Sequence, residues 1–170
     1  MIEPMIEPIF VILGILASVA IPRLAATRED AEISAAVANL RTLISDAGAY
    51  YTVTGTFNGA AWNQITNVPL KKGNGDAATA AATATPTTVN GAYLKVGDTN
   101  DCIGVHLVNK AANTNIPAYI KFTKKQGAAG VCAQVLGSKP VKAYLDSRVA
   151  GVNGPNGAST IAIGSNTKIY

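Results

Sequence analysis

The sequence predicts an α+β protein. A long N-terminal α-helix is apolar through its first half and amphipathic through its second, and that second half lies on an antiparallel β-sheet. Three observations carry this. Ile9 to Ile21 reads IFVILGILASVAI, with no charge anywhere between Glu7 and Arg23. Residues 23–51 place Ile33, Val37, Leu40 and Ile44 at helical spacing, with Arg28, Glu32, Asn39 and Asp46 as polar positions. From Ala92 onward short apolar runs are separated by GDTND, NKAANTN and KKQGAAG, the pattern of strands joined by turns.

The first helical segment is hydrophobic all round, since Phe10, Val11, Ile12 and Leu13 cover every face of a turn. A lone domain would have to wrap protein around it completely, so burial by lipid or by copies of the chain is the simpler expectation. From Ile9 the run is shorter than the roughly 18–20 residues of a comfortable membrane span. It also lacks the basic leader and small-residue cleavage site of an ordinary secretory signal. Pro8, which closes the tandem MIEPMIEP, suits a first helical turn. Joined, the two halves make a rod from Ile9 to Tyr51 about 65 Å long, well beyond the diameter of a compact domain of 170 residues. Half of it must protrude. Gly14 and Pro22 are weak points, and a kink or melted stretch is expected between them.

Gly48 and then Thr52–Gly55 end the helix. Residues 53–91 read as a connecting region, low in complexity over Asp76–Thr88 (DAATAAATATPTT), with Trp62 and Ile65 pinning part of it to the body. The expected strands are Ala92–Val96, Cys102–Val108, Ala118–Thr123, Val131–Leu136 and Thr160–Ile163. A short helix is expected over Val141–Val149, after Pro140, and a tight turn over 152–157. The organisation is thus 1–25, a hydrophobic membrane or assembly segment, and 26–170, a globular body. Within the body, 26–52 is helix, 53–91 connecting loop, and 92–170 sheet.

Composition limits function. At 170 residues the chain fits one domain with one core. Charged residues are 14% and hydrophobic residues 48%, too apolar for disorder and too poor in charge for a coiled coil. One His and two Cys do not suffice for a Cys/His zinc cluster, an iron–sulfur site or haem attachment, and no cofactor is expected. Residues 1–89 carry five basic and seven acidic side chains, whereas residues 90–170 carry nine and three. The basic second half is the one suited to DNA or anionic surfaces.

Gly14-Ile15-Leu16-Ala17 followed by Ala20-Ile21-Pro22 resembles the N-terminal helix of type IV pilins and the related type II secretion pseudopilins. In that family the mature chain begins with an N-methylated Phe, has Glu at its fifth position and continues into such an apolar run. Here Met1 and Met5 stand at those two places. The specific motif covers roughly the first 25 residues. The plan of helix, variable loop and sheet with a C-terminal cysteine pair covers the whole chain.

The resemblance implies a structural subunit of an extracellular pilus (fimbrium), held in the inner membrane before assembly. It implies a prepilin peptidase and a pilus assembly machinery as partners besides other copies of the chain. Adhesion, surface motility and DNA uptake are the implied tasks. Glu7, or failing that Glu3, takes the role of the family carboxylate that neutralises a neighbour's N-terminal amine. Such pairing offsets the cost of a charge in an apolar bundle. Gly14, Pro22, Phe10, Leu13 and Leu16 complete the assembly segment. Cys102 and Cys132, expected on two strands, are read as a disulfide, as family members often clip this region; two buried free thiols are the alternative.

Other signals are weaker. Asp98, Asn100 and Asp101 put three oxygen ligands in one expected turn, a weak calcium site against an ordinary Asx turn. His106 is alone in a strand. Ser165-Asn166-Thr167-Lys168 matches the S-x-x-K pattern of acyl-transfer enzymes but lacks its partner motifs. There is no P-loop or dinucleotide fingerprint, so an enzyme is not expected. The rivals to a pilin are a secretion pseudopilin and an anchored binding module that never polymerises.

Overall fold

A computed structural model of the chain describes residues 6–72, 81–82, 92–110, 115–149, 152 and 159–163. Within that range, the side chains of residues 6, 7, 19, 21–25, 81 and 82 are not described. Helix α1 (Ile6–Thr54) is 49 residues long, about 73 Å at 1.5 Å per residue. It runs unbroken through both Gly14 and Pro22, so no stretch between them melts. One missing N–H removes one rung from a long cooperative ladder, and propagation on either side carries the helix through.

The connecting region is more structured than its composition suggests. It contains β1 (Ala60–Ala61), α2 (Trp62–Ile65), β2 (Leu70–Lys71) and β3 (Ala81–Ala82). Trp62 and Ile65 are buried, as expected for pins. Then come β4 (Ala92–Val96), β5 (Thr99–Val108), β6 (Tyr119–Lys124), α3 (Gly130–Gly137), α4 (Lys139–Leu145) and β7 (Ser159–Ala162). Strands β2-β4-β5-β6-β7 form one five-stranded sheet, antiparallel throughout, while β1 and β3 pair separately.

Three expectations need correction. Val131–Leu136 is helix α3, not a strand. A short apolar run has no period that separates the two states. The i, i+3 pair Cys132 and Val135 faces the core, and Ser138 Oγ donates to the Val135 carbonyl at 2.7 Å, closing the last turn. The second helix begins two residues early and stops at Leu145, because Pro140 sits in its first turn. Ser147 and Val149 serve β7 instead, with Thr160 N donating to the Ser147 carbonyl and Val149 N to Thr160 Oγ1. The GDTND stretch is not all turn. Gly97, at φ 55°, and Asp98 turn the chain, and Thr99, Asn100 and Asp101 already belong to β5. The turn expected over 152–157 lies outside the described residues save for Val152.

One core joins helix and sheet. Ala36, Leu40, Leu43 and Ala47 make the fully buried stripe of α1, at spacings of four, three and four. Ile33, Val37 and Ile44 flank it, partly buried. The stripe meets Leu94, Ile103, Val105, Leu107, Ile120 and Phe122 from the sheet, with Val135, Val141 and Leu145 from α3 and α4 closing the side.

Candidate functional site

Of the residues expected to mediate assembly, Phe10, Leu13, Gly14 and Leu16 lie on an exposed stretch of α1. Ile9, Phe10, Val11, Ile12, Leu13, Ile15 and Leu16 are each 55–67% exposed, the largest exposed apolar group among the described residues. They go all the way round the helix, so no single neighbouring surface within the chain could cover them. Burying side chains of this size is worth about 1.5–3 kcal/mol each, on the order of 10 kcal/mol for the group. Gly14 sits among them with nothing within 4 Å of where a Cβ would stand. Its missing side chain is therefore not required by packing inside the chain, although glycine costs about 1 kcal/mol in a helix relative to alanine. Ser18 Oγ donates to the Ile15 carbonyl at 2.8 Å, so its hydroxyl is satisfied within the helix.

Glu7 and Pro22 lie in α1 by their backbone, with their side chains outside the described set. Glu3 is outside the described residues altogether. Among the described residues no helix is long and apolar enough to cross a membrane.

From Ile33 onward the helix is held by the body. Glu32 accepts a hydrogen bond from Gly97 N at 3.3 Å, which ties the β4–β5 turn to α1. Arg41 Nε donates to Tyr144 Oη at 2.8 Å, tying α4 to it. Thr66 Oγ1 donates to Asp46 at 2.7 Å and accepts from Val68 N, fixing the segment after α2. At the helix end Tyr50 and Tyr51 pack on buried Phe57. Asn109 holds that corner: its Oδ1 accepts from Phe57 N at 2.8 Å, and its Nδ2 donates to Thr56 and Asn58.

Cys102 and Cys132 are joined in a disulfide, with Cα atoms 5.8 Å apart. The sequence places both on strands, whereas the structure links β5 to α3. The bridge therefore clamps the sheet to the helical layer beside α1, and both cysteines are buried.

The oxygen ligands of the expected calcium turn do not converge. Asp98 is exposed in the turn and Asp101 forms an ion pair with Lys125. Among the described residues no group of three or more His, Cys, Asp or Glu side chains could hold a metal. The Lys125 hydrogen bond holds the Asp101 carboxyl below its ordinary value, and Lys124 does the same for Asp146. His106 is half-buried on β5, and burial together with the Lys121 charge lowers its pKa. Burial raises that of Tyr119. An open cleft of about 420 Å³ lies between the end of α1 and α2, lined by Asp46, Tyr50, Val53, Gln64, Thr66 and Asn67. Its only acid, Asp46, is engaged by Thr66. Ser165–Lys168 lie outside the described residues.

Sequence reasoning missed Asn109 and Gly104, whose importance comes from neighbours distant in the chain. A Cβ on Gly104 would collide with Thr123 Oγ1 and stand 3.4 Å from Tyr93. No family model, curated protein or solved structure matches the chain.

Proposed function

We propose that the protein is the structural subunit of an extracellular helical filament of the type IV pilus kind, assembled through the N-terminal part of α1. One observation carries the reading: residues 9–16 of a continuous helix present apolar side chains in every direction, while the same helix from Ile33 on is fixed to a folded body. Surface of that shape is buried by several neighbours at once. Copies related by a repeated head-to-tail operation supply such neighbours and build an open helix. Gly14 supports the reading, since a helix with no side chain at that point lets a second helix approach closely. The α+β plan, with α1 on one face of an antiparallel sheet, is compatible with a pilin fold.

In this reading Glu7 pairs with the N-terminal amine of the next subunit. Glu3 is the substitute for it. Before assembly the uncharged run Ile9–Ile21 anchors the subunit in the inner membrane, and a prepilin peptidase and assembly machinery act on it there. Adhesion, surface motility and DNA uptake are the tasks that accompany the resemblance. The Cys102–Cys132 bridge favours a pilin over a calcium-dependent secretion pseudopilin.

The test is electron microscopy of material sheared from cells expressing the chain, with mass spectrometry of the filament protein. Long thin filaments of this chain are expected, and Glu7→Ala should abolish or sharply reduce them while the folded body persists. Normal filament yield from Glu7→Ala removes that residue from the role. Chain retained in the membrane fraction without filaments overturns the filament reading in favour of an anchored monomer.

A further inference from the structure

The face of the sheet turned away from α1 carries its own pattern. Register puts Lys71, Tyr93, Gly104 and Thr123 in one row across β2, β4, β5 and β6. Two residues further along β5, His106 stands opposite Lys121, and two further again Val108 stands opposite Tyr119. The alternating residues Leu94, Ile103, Val105, Leu107, Ile120 and Phe122 are buried in the core. Strand alternation therefore turns Tyr93, His106, Lys121 and Tyr119 to the opposite face.

Three rings thus form a diagonal: Tyr93 on β4, His106 on β5 and Tyr119 on β6, each one strand over and two residues along from the last. With strands about 4.8 Å apart and about 3.4 Å of rise per residue, each step is about 8 Å. Gly104 is the bed of this diagonal. Tyr93 Cε1 and His106 Nε2 lie 3.4 and 3.6 Å from the place a Cβ would take, so both rings come down against the strand there. Lys71, Lys95 and Lys121 flank the rings, and Lys125 continues the same alternation along β6 to the edge of the face, where it meets Asp101. The nearby acids Asp101 and Asp146 are paired with Lys125 and Lys124.

We propose that this face binds single-stranded nucleic acid, with bases stacked on Tyr93, His106 and Tyr119 and phosphates drawn to Lys71, Lys95 and Lys121. Tyr93, His106 and Tyr119 are half-buried, and rings that keep one side open on a basic sheet stack unpaired bases, since every base has a flat face to offer. A duplex keeps its bases inside. An acidic polysaccharide meets the lysines but has no planar ring system to lay on the diagonal. His106 remains an uncharged stacking surface at neutral pH, because burial and Lys121 both oppose its protonation. The inference is independent of filament assembly, since it concerns the face opposite α1.

The test is fluorescence anisotropy of a labelled oligothymidylate of about 12 nucleotides, within the span one sheet-type site covers. It is titrated with the full chain in non-ionic detergent at low salt. Binding is expected, with duplex DNA of the same length and oligogalacturonate competing poorly. Tyr93→Leu should weaken affinity roughly tenfold, and Lys121→Gln should flatten the salt dependence by about 0.7 in log–log slope. Lys121→Gln removes no core contact, so its result stands even if Tyr93→Leu misfolds. The proposal is overturned by absence of binding, by a Lys121→Gln slope equal to that of the parent, or by folded Tyr93→Leu binding as the parent does. Equal competition by oligogalacturonate also overturns it and assigns the face to acidic polysaccharide.

Discussion

The two ends of α1 share a backbone and differ in everything that surrounds it. From Ala36 to Ala47 the helix buries one stripe and leaves the rest to water, as a helix does on a sheet. From Ile9 to Leu16 it has no preferred side, because its seven large side chains are all apolar and each is more than half exposed. The first arrangement is complete within one chain; the second is not. If copies associate as proposed, stability of the body and association between bodies rest on different segments of the same helix, and should respond to different substitutions.

The sharpest way to break that comparison is a matched pair of leucines. Leu43→Ala should cost about 2–5 kcal/mol in denaturant unfolding of the full chain in detergent, since Leu43 is fully buried. Leu13→Ala should move that value by less than about 0.5 kcal/mol, as expected for an exposed site, while reducing filament yield. Equal destabilisation by both would mean that the N-terminal segment also packs on the body.

Breaking the bridge comes next. Cys132→Ser should cost about 3–4 kcal/mol in the chain-entropy model for a closed loop of 30 residues. The reading is the thermal midpoint without reductant, and an unchanged midpoint would show that the bridge does not constrain the unfolded chain.

Acid should produce a smaller effect. The folded-state pKa of His106 lies below its ordinary value, so the unfolded chain takes up that proton first. Stability is full above about pH 6.5 and declines as pH falls from there towards the folded-state pKa. His106→Gln should flatten the change in thermal midpoint between neutral pH and about pH 5.5. Asp101 and Asp146, whose values are also depressed, lose their contribution in a separate window, as pH falls below about 4. A midpoint that declines equally in His106→Gln would place the titrating group elsewhere.

The smallest effect is at Ser159. Its Oγ is buried without a hydrogen-bond partner among the described residues. Ser159→Ala should leave stability unchanged or raise it by up to about 1 kcal/mol, as read by the denaturation midpoint. A clear loss would reveal a partner for the hydroxyl.

What the sequence could tell follows the range of the interactions involved. The long helix and the strand Ala92–Val96 were legible because their patterns are local and repeat. Val131–Leu136 was not, because six apolar-rich residues fit a strand or two helical turns equally well. Its neighbours decide between them: Cys132 and Val135 find the core only when they share a helical face. The structure of 60–71 was hidden by Gly, Asn and Thr content, although Trp62 and Ile65 marked the anchors. Sites made by register lay furthest from reach. Tyr93, Gly104 and Thr123 look unrelated in the sequence and adjoin only once three strands are paired. The apolar run at Ile9–Ile21 was legible because its signal lies wholly in consecutive residues.

The link between β5 and α3 has a mechanical side. A chain drawn out by force lengthens by up to about 3.5 Å for each residue released. Cys102 and Cys132 are 30 positions apart, so their covalent tie withholds about 100 Å of contour from any pull applied across it. The withheld segment includes β6 and most of β5. Under tension the segments outside the bridge can pay out, but these two strands stay behind a lock that only reduction opens.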